Sequence, residues 1–270
     1  MSQQVANYNA PLYWEQRAQR FAADGEGLAA VCSYGMPSFY NWQIHCSQYL
    51  ALRPWLDVGA GSRVLDLGCG VGRWSRLLAG RGAQVTGVDL SPTMVAIARR
   101  RSEVQGLSER CRFLVQDLAQ LDAGGPYDLV LGVTVLQHIL DAERLRSAVA
   151  GMAAHLAPGG RMVLLEAAPV QVTQRCDSAV FTARDRAAYL ELYRSCGLRV
   201  RSITGVDPAP FKIWLLPHLP RLPRPIGLVA LAAASTLALP IDALFGRSAI
   251  RHSWHAVFVL EHEAEDRHGR

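Results

Sequence analysis

Residues 64–75 read VLDLGCGVGRWS. An apolar run feeds three glycines at alternate positions, Gly68, Gly70 and Gly72. A short apolar run closed by glycine fits a strand buried on both faces. Glycine directly after it lets backbone approach a ligand where any Cβ would collide. The next residues, 73–79, have helical character, so the stretch is the opening βα unit of a larger repeat.

The repeat continues outward. Strands are predicted at 63–67, 84–88, 112–115, 128–132 and 161–165, with helices at 73–79, 93–104 and 142–156 between them. Ser91 followed by Pro92 is a helix start, and Pro158-Gly159-Gly160 reads as a turn. TARDRAAYLELYRSCG gives a further helix, with Thr182 and Asp185 as its capping start and Gly197 as its stop. LRVRSITGV (198–206) is a sixth strand and SWHAVFVLE (253–261) a seventh. Alternating strands and helices predict an α/β fold with a mostly parallel sheet and helices on both faces.

Two regions lie outside this repeat. Residues 1–60 read as a helical cap, with Pro11 in a first helical turn and a second helix at 38–52. Residues 207–252 interrupt the core before the last strand, a length unusual for an unstructured loop. The stretch 226–239 in this insert has no charge. A bilayer span needs about 20 apolar residues, and Pro240 and Asp242 break this run, so it is expected to be the helix of a lid. The alternative is an apolar lid on a bilayer or a lipid-like acceptor, with Arg221, Arg224, Arg247 and Arg251 for anionic headgroups. The division expected is 1–60 cap, 61–206 core, 207–252 insert, 253–261 last strand and 262–270 polar tail.

Composition narrows the function classes. The net charge is +5, but Lys212 is the only lysine. The arginine and alanine content fits a coding bias better than a nucleic-acid footprint, which needs a broad basic face with aromatics. The cluster Arg99-Arg100-Arg101 sits near a predicted helix end, where cations suit the helix dipole. Six cysteines (32, 46, 69, 111, 176 and 196) have no CxxC spacing, so neither a disulfide framework nor a zinc site is expected. MSQQVANYNAPLYWEQ lacks the basic and apolar regions of a signal peptide, which points to the cytoplasm.

In an open α/β sheet, ligands bind at the carboxyl ends of the strands. A dinucleotide fingerprint, G-x-G-x-x-G counted from Gly68, requires glycine at 73, where this chain has Arg73. No Gly-Lys-Ser/Thr follows, which removes a P-loop. Asp89 ends the second strand, placed to accept both hydroxyls of a ribose. Asp117 ends the third and suits an adenine amine, with Leu90 and Leu118 on the ring faces; Asp66 suits an ammonium, directly or through water. Adenine, ribose and an amino-acid zwitterion without pyrophosphate describe S-adenosylmethionine (SAM).

These stretches resemble the class I, Rossmann-like, SAM-dependent methyltransferases. VLDLGCGVGRWS is similar to their first motif and VTGVDLSPTMVAIAR to the acidic loop and helix after it. FLVQDL is similar to the adenine motif, YDLVLGVTVLQHI to the fourth strand and its loop, and LAPGGRMVLLE to the fifth strand. The resemblance covers residues 62–170 and implies a seven-stranded sheet with the last strand antiparallel. It implies a SAM site built from Asp66, Gly68, Cys69, Gly70, Gly72, Asp89, Leu90, Met94, Asp117, Leu118 and Val133. YWEQRAQRF is similar to a cap segment of some members, which implies Arg17 on the cofactor carboxylate and Tyr13 or Trp14 as its cover; the alternative is a solvated amphipathic helix.

The implied reaction is methyl transfer to an O or C atom. His138, after the fourth strand, is the candidate general base; Glu166 is a second, and His45 and Tyr40 can enter from the cap. No metal site is expected. Tyr34, Phe39, Tyr40, Trp42, Phe211 and Trp214 make the cap and insert aromatic, which favours a hydrophobic or amphipathic small-molecule acceptor: a quinone, a polyketide or a lipid-linked sugar. The competing classes are a dinucleotide-dependent oxidoreductase and a non-catalytic protein of the same fold that binds membrane or lipid.

Overall fold

A computed structural model describes residues 8–23, 25–33, 35–171, 179–206, 214–245 and 250–263. Tyr34, Cys176, Phe211, Lys212, Arg247 and the tail 264–270, all named above, lie outside the described residues.

The core is one seven-stranded sheet: β1 (Arg63–Leu67), β2 (Gln84–Asp89), β3 (Cys111–Val115), β4 (Tyr127–Val133), β5 (Leu156–Ala167), β6 (Leu198–Val206) and β7 (His255–His262), in spatial order β3-β2-β1-β4-β5-β7-β6. Strands β1 to β5 pair in parallel, and β7 runs antiparallel between β5 and β6. β1 and β4 are almost wholly buried, as their apolar runs require. The chain leaves β1 toward β2 and β3, then returns to the other side of β1 for β4. That reversal opens the crevice at the strands' carboxyl ends.

Helices cover both faces. On one face Leu145, Val149 and Met152 of α6 (Ala142–Ala154) and Tyr189 and Tyr193 of α7 (Arg186–Ser195) pack with Phe258 of β7. On the other, Leu52 of α3 (Ser38–Leu52) and Trp74 and Leu78 of α4 (Arg73–Ala79) pack on β1, β4 and β5. α5 (Pro92–Val104) starts at Ser91, whose side chain accepts from the Met94 N–H. The cap adds α1 (Ala10–Phe21) and the short α2 (Leu28–Val31).

Three expectations are corrected. Pro158-Gly159-Gly160 is a bulge within β5: Tyr127 pairs with Leu156 and Leu129 with Arg161, so the extra residues bow out at Gly159, whose φ is +78°. α7 is capped by Asp185 alone, which accepts from Ala188 N–H; the Thr182 N–H instead donates to the Gln137 carbonyl. In the insert, α8 (Arg224–Phe245) continues through Pro240 and Asp242. Pro240 is exposed, and water can satisfy the carbonyl that it leaves unbonded. α8 is long and apolar enough to cross a membrane by length and composition, with mean hydropathy 1.9.

Candidate functional site

The glycine loop is held in the left-handed region, with φ of +60°, +54° and +75° at Gly68, Gly70 and Gly72. A Cβ at Gly68 would lie 2.6 Å from Val135 Cγ2, and one at Gly70 would lie 2.6 Å from Val31 Cγ1. These glycines therefore let the loop after β4 and the cap close over the turn. Gly72 differs from the expectation. Its Cβ would meet Ala98 and Phe113 at 3.0–3.3 Å, and it does not line the cavity, so it serves the packing of α5 and β3.

Asp89 fixes the loop's shape. One carboxylate oxygen accepts the Gly70 N–H at 2.8 Å, and the other accepts the Ser91 N–H at 2.9 Å. Burial raises its pKa, while these N–H groups pull it back. A carboxylate oxygen has more than one lone pair, so each can take a further donor. Asp66 is buried at the end of β1 and accepts from the Ser75 hydroxyl. Burial lifts its pKa to about 6, with Ser75 and Arg73 acting the other way.

Asp117 caps the turn Leu118–Gln120, accepting the Ala119 N–H at 2.9 Å, and its other oxygen is ion-paired with Arg144. Any further donor at Asp117 competes with that exposed arginine. Asp66, Gly68, Cys69, Gly70, Asp89, Leu90, Met94, Asp117, Leu118 and Val133 all line one cavity of about 1050 Å³, with Arg17 and His138 at its cap side. This donor set fits SAM: carboxylates spaced along a trough, apolar Leu90, Leu118 and Met94 between them, and a glycine turn at its floor.

Arg17 lines the cavity, and its guanidinium is also bonded within the cap. Its Nε donates to Ala30 O at 2.7 Å and its Nη2 to Cys32 O at 3.0 Å and Ala29 O at 3.3 Å. The guanidinium also lies 5.2 Å from the Trp14 ring. It caps the carbonyl end of α2, a position that suits a cation.

His138 sits in the turn Leu136–His138 after β4. Nδ1 is 2.7 Å from the Val180 carbonyl, which can only accept, so Nδ1 carries the proton and Nε2 is the acceptor, with the Gln137 amide 3.4 Å away as its donor. Trp14 and Phe181 flank the ring edge-on, with centroids at 4.9 and 6.0 Å. Burial pushes its pKa down to about 4, with the Val180 bond opposing, so the ring is neutral at pH 7.

Glu166 is not a base in the cavity. It is fully buried outside the lining and accepts the N–H groups of Val135, Leu136 and Gln137 at 2.9–3.2 Å. It anchors the turn that carries His138. His45 also lies outside the lining, with Nδ1 3.0 Å from Arg73 Nη1 and a pKa pushed down to about 4, first by burial and then by that arginine. Arg73 holds Gln48 as well, at 2.8 Å, so the residue in the missing-glycine position ties α3 to the core.

Tyr40 lines the cavity as expected, joined by Trp14, Ile44, Trp74, Phe181, Val206 and His255. Phe181, Val206 and His255 lie where the chain shows no recognisable motif, and only the fold brings them to the site. Among the described residues, no group of three or more His, Cys, Asp or Glu side chains converges as a metal site.

A family model described as a methyltransferase domain matches residues 64–160. The ubiquinone biosynthesis O-methyltransferase of Xanthomonas axonopodis pv. citri is 33% identical over 172 residues, covering 57% of this chain and 69% of that protein. The methyltransferase GfsG of Streptomyces halstedii is 30% identical over 207 residues, covering 76% of this chain and 72% of GfsG. Among solved structures, the magnesium protoporphyrin IX methyltransferase of Synechocystis PCC 6803 with bound SAM is 25% identical, with a TM-score of 0.54 over 74% of this chain and 91% of that one. The N-methyltransferase NodS of Bradyrhizobium japonicum shares the fold, with a TM-score of 0.58 at 16% identity over 93% of this chain and 99% of that one. The dinucleotide-dependent and non-catalytic readings give way, and the chain belongs to the class I SAM-dependent methyltransferases.

Proposed function

We propose that this enzyme transfers the methyl group of SAM to an oxygen of a hydrophobic or amphipathic small molecule, with Asp66, Asp89 and Asp117 as the donor's polar contacts. The observation that carries this is the shape of the cavity. At about 1050 Å³ it is at the upper end of single-ligand pockets, and past the aspartates its wall turns aromatic and aliphatic, with Trp14, Tyr40, Ile44, Phe181 and Val206. That leaves room for an apolar acceptor beside the donor. The Xanthomonas relative is, by its name, an O-methyltransferase of ubiquinone biosynthesis, and a phenolic acceptor fits such a wall.

SAM supplies a methyl group already bonded to a sulfonium. The protein's part is orientation and removal of one proton. The turn held by Glu166 fixes His138 beside Trp14 and Phe181. Its neutral Nε2 is the acceptor for the hydroxyl proton, and alignment of acceptor and donor supplies the rest of the acceleration. Residues 61–206 with 253–261 would hold the donor, while the cap 1–60 and the insert 207–252 select the acceptor.

The test is turnover of methyl-labelled SAM with a panel of catechols bearing prenyl chains of increasing length. Labelled methyl ethers whose formation improves with the chain are expected. Label found only on nitrogen or carbon, or preference for the unsubstituted catechol, would overturn the reading.

A further inference from the structure

α8 is amphipathic in the reverse of the usual sense. The side chains it turns inward are Gly227, Leu231, Ser235, Ala238 and Asp242, at helical spacing. Its polar groups face the protein: Ser47 Oγ donates to Asp242 at 3.2 Å, and Gln43 Nε2 to Thr236 at 3.1 Å, both from α3. The opposite stripe is apolar and exposed. Ile226, Val229, Leu237 and Leu244 are 57%, 70%, 62% and 76% exposed. A globular surface helix places such residues inward.

The exposed charges described within the insert are of one sign. Arg221 and Arg224 are exposed at its start, and Arg251 and His252 are exposed shortly after its end. The acidic residues of 207–252 are Asp207 and Asp242; Asp242 is buried against Ser47, and Asp207 lies outside the described residues. A second copy of this chain would present the same cations to each other. Anionic headgroups complement both the charge and the apolar stripe.

We propose that α8 docks this enzyme on an anionic lipid bilayer, lying in the interface with its outer stripe in the acyl boundary. It lies flat rather than spanning, because its inner face stays bonded to α3 and a span would carry Asp242 into hydrocarbon. The position gives the contact a use. α3 holds α8 through Gln43 and Ser47 and lends Tyr40, Ile44 and Gln48 to the cavity wall, with Ser47 touching both. A docked α8 therefore holds the acceptor end of the cavity one helix away from the lipid. This inference goes beyond the acceptor's identity and does not depend on it.

The test is co-sedimentation of the full chain with phosphatidylcholine vesicles, with and without phosphatidylglycerol, comparing wild type with Val229→Glu/Leu237→Glu. Binding to the anionic vesicles that weakens with salt is expected. The double variant should lose roughly tenfold or more of its vesicle partition, because two apolar side chains no longer enter the acyl boundary. Its melting temperature and SAM affinity should not change, since both positions face outward. Wild type left in the supernatant with both vesicles, or equal binding by the variant, would overturn the proposal. So would a dimer in light scattering that the variant abolishes, which would give the face to a second copy.

Discussion

Asp89 carries two duties at once. It shapes the glycine turn through Gly70 and Ser91, and it faces the cavity with lone pairs to offer. Asp89→Ala is expected to weaken SAM binding by roughly a hundredfold, by removing an ionised acceptor and loosening the turn. Asp89→Asn should retain part of the affinity, because one oxygen still accepts; calorimetric titration checks both. His138 has one duty, so His138→Ala should lower kcat by about a hundredfold and leave SAM affinity near the wild-type value. Since its unprotonated form is the active one and burial holds its pKa to about 4, activity should rise with pH through that value and be flat near neutrality. A kcat limb near the ordinary histidine value, measured across pH, would contradict this.

At the scale of elements, the turn after β4 depends on Glu166. Three backbone N–H groups converge on a fully buried carboxyl, so Glu166→Gln places an amide NH₂ against a donor and should cost about 1–3 kcal/mol in thermal or chemical melts. Burial lifts its folded pKa to about 7, above the ordinary 4.5 of the unfolded chain, while the N–H bonds resist. The folded form then holds a proton that the unfolded form releases. Wild-type stability relative to Glu166→Gln should therefore fall as pH rises from about 4.5 to about 7, which melting curves across that range will show.

Much of this scale was legible in the sequence. Periodicity and capping place α3 at Ser38–Leu52, α4 at Arg73–Ala79 and β6 at Leu198–Val206, as predicted. Misreadings came where tertiary contacts overrode a local signal. Pro158-Gly159-Gly160 has turn chemistry, yet pairing with β4 on either side makes it a bulge. Glu166 sits at a strand's carboxyl end like a catalytic acid, but its direction, set by strand alternation, is into the turn. Pro240 and Asp242 break the uncharged run, yet α8 continues through both.

For the whole molecule, the core announces its donor and conceals its acceptor. Asp66, Asp89 and Asp117 lie at or just past the carboxyl ends of β1, β2 and β3, which the alternating pattern predicts as parallel, so the residues brought together at one trough could be named beforehand. The acceptor wall is assembled from Trp14, Tyr40, Phe181, Val206 and His255, which are far apart in the chain and share no motif. Closure is also a long-range property. Glu15 of α1 accepts from the Ser91 and Thr93 side chains at the start of α5, and Arg101 reaches back to the carbonyls of Ala22, Gly25 and Glu26. Glu15→Ala should unlatch the cap and speed SAM dissociation several-fold in stopped-flow, with the core's melting temperature little changed.

The most direct measurement is the fate of the methyl group. The purified enzyme is incubated with methyl-labelled SAM and an extract of the source cells, and the label is traced by mass spectrometry. Label is expected as a methyl ether on an apolar small molecule in the organic phase, absent with Asp89→Ala and strongly reduced with His138→Ala. Label confined to protein or nucleic acid, or transfer unaffected by Asp89→Ala, would contradict it.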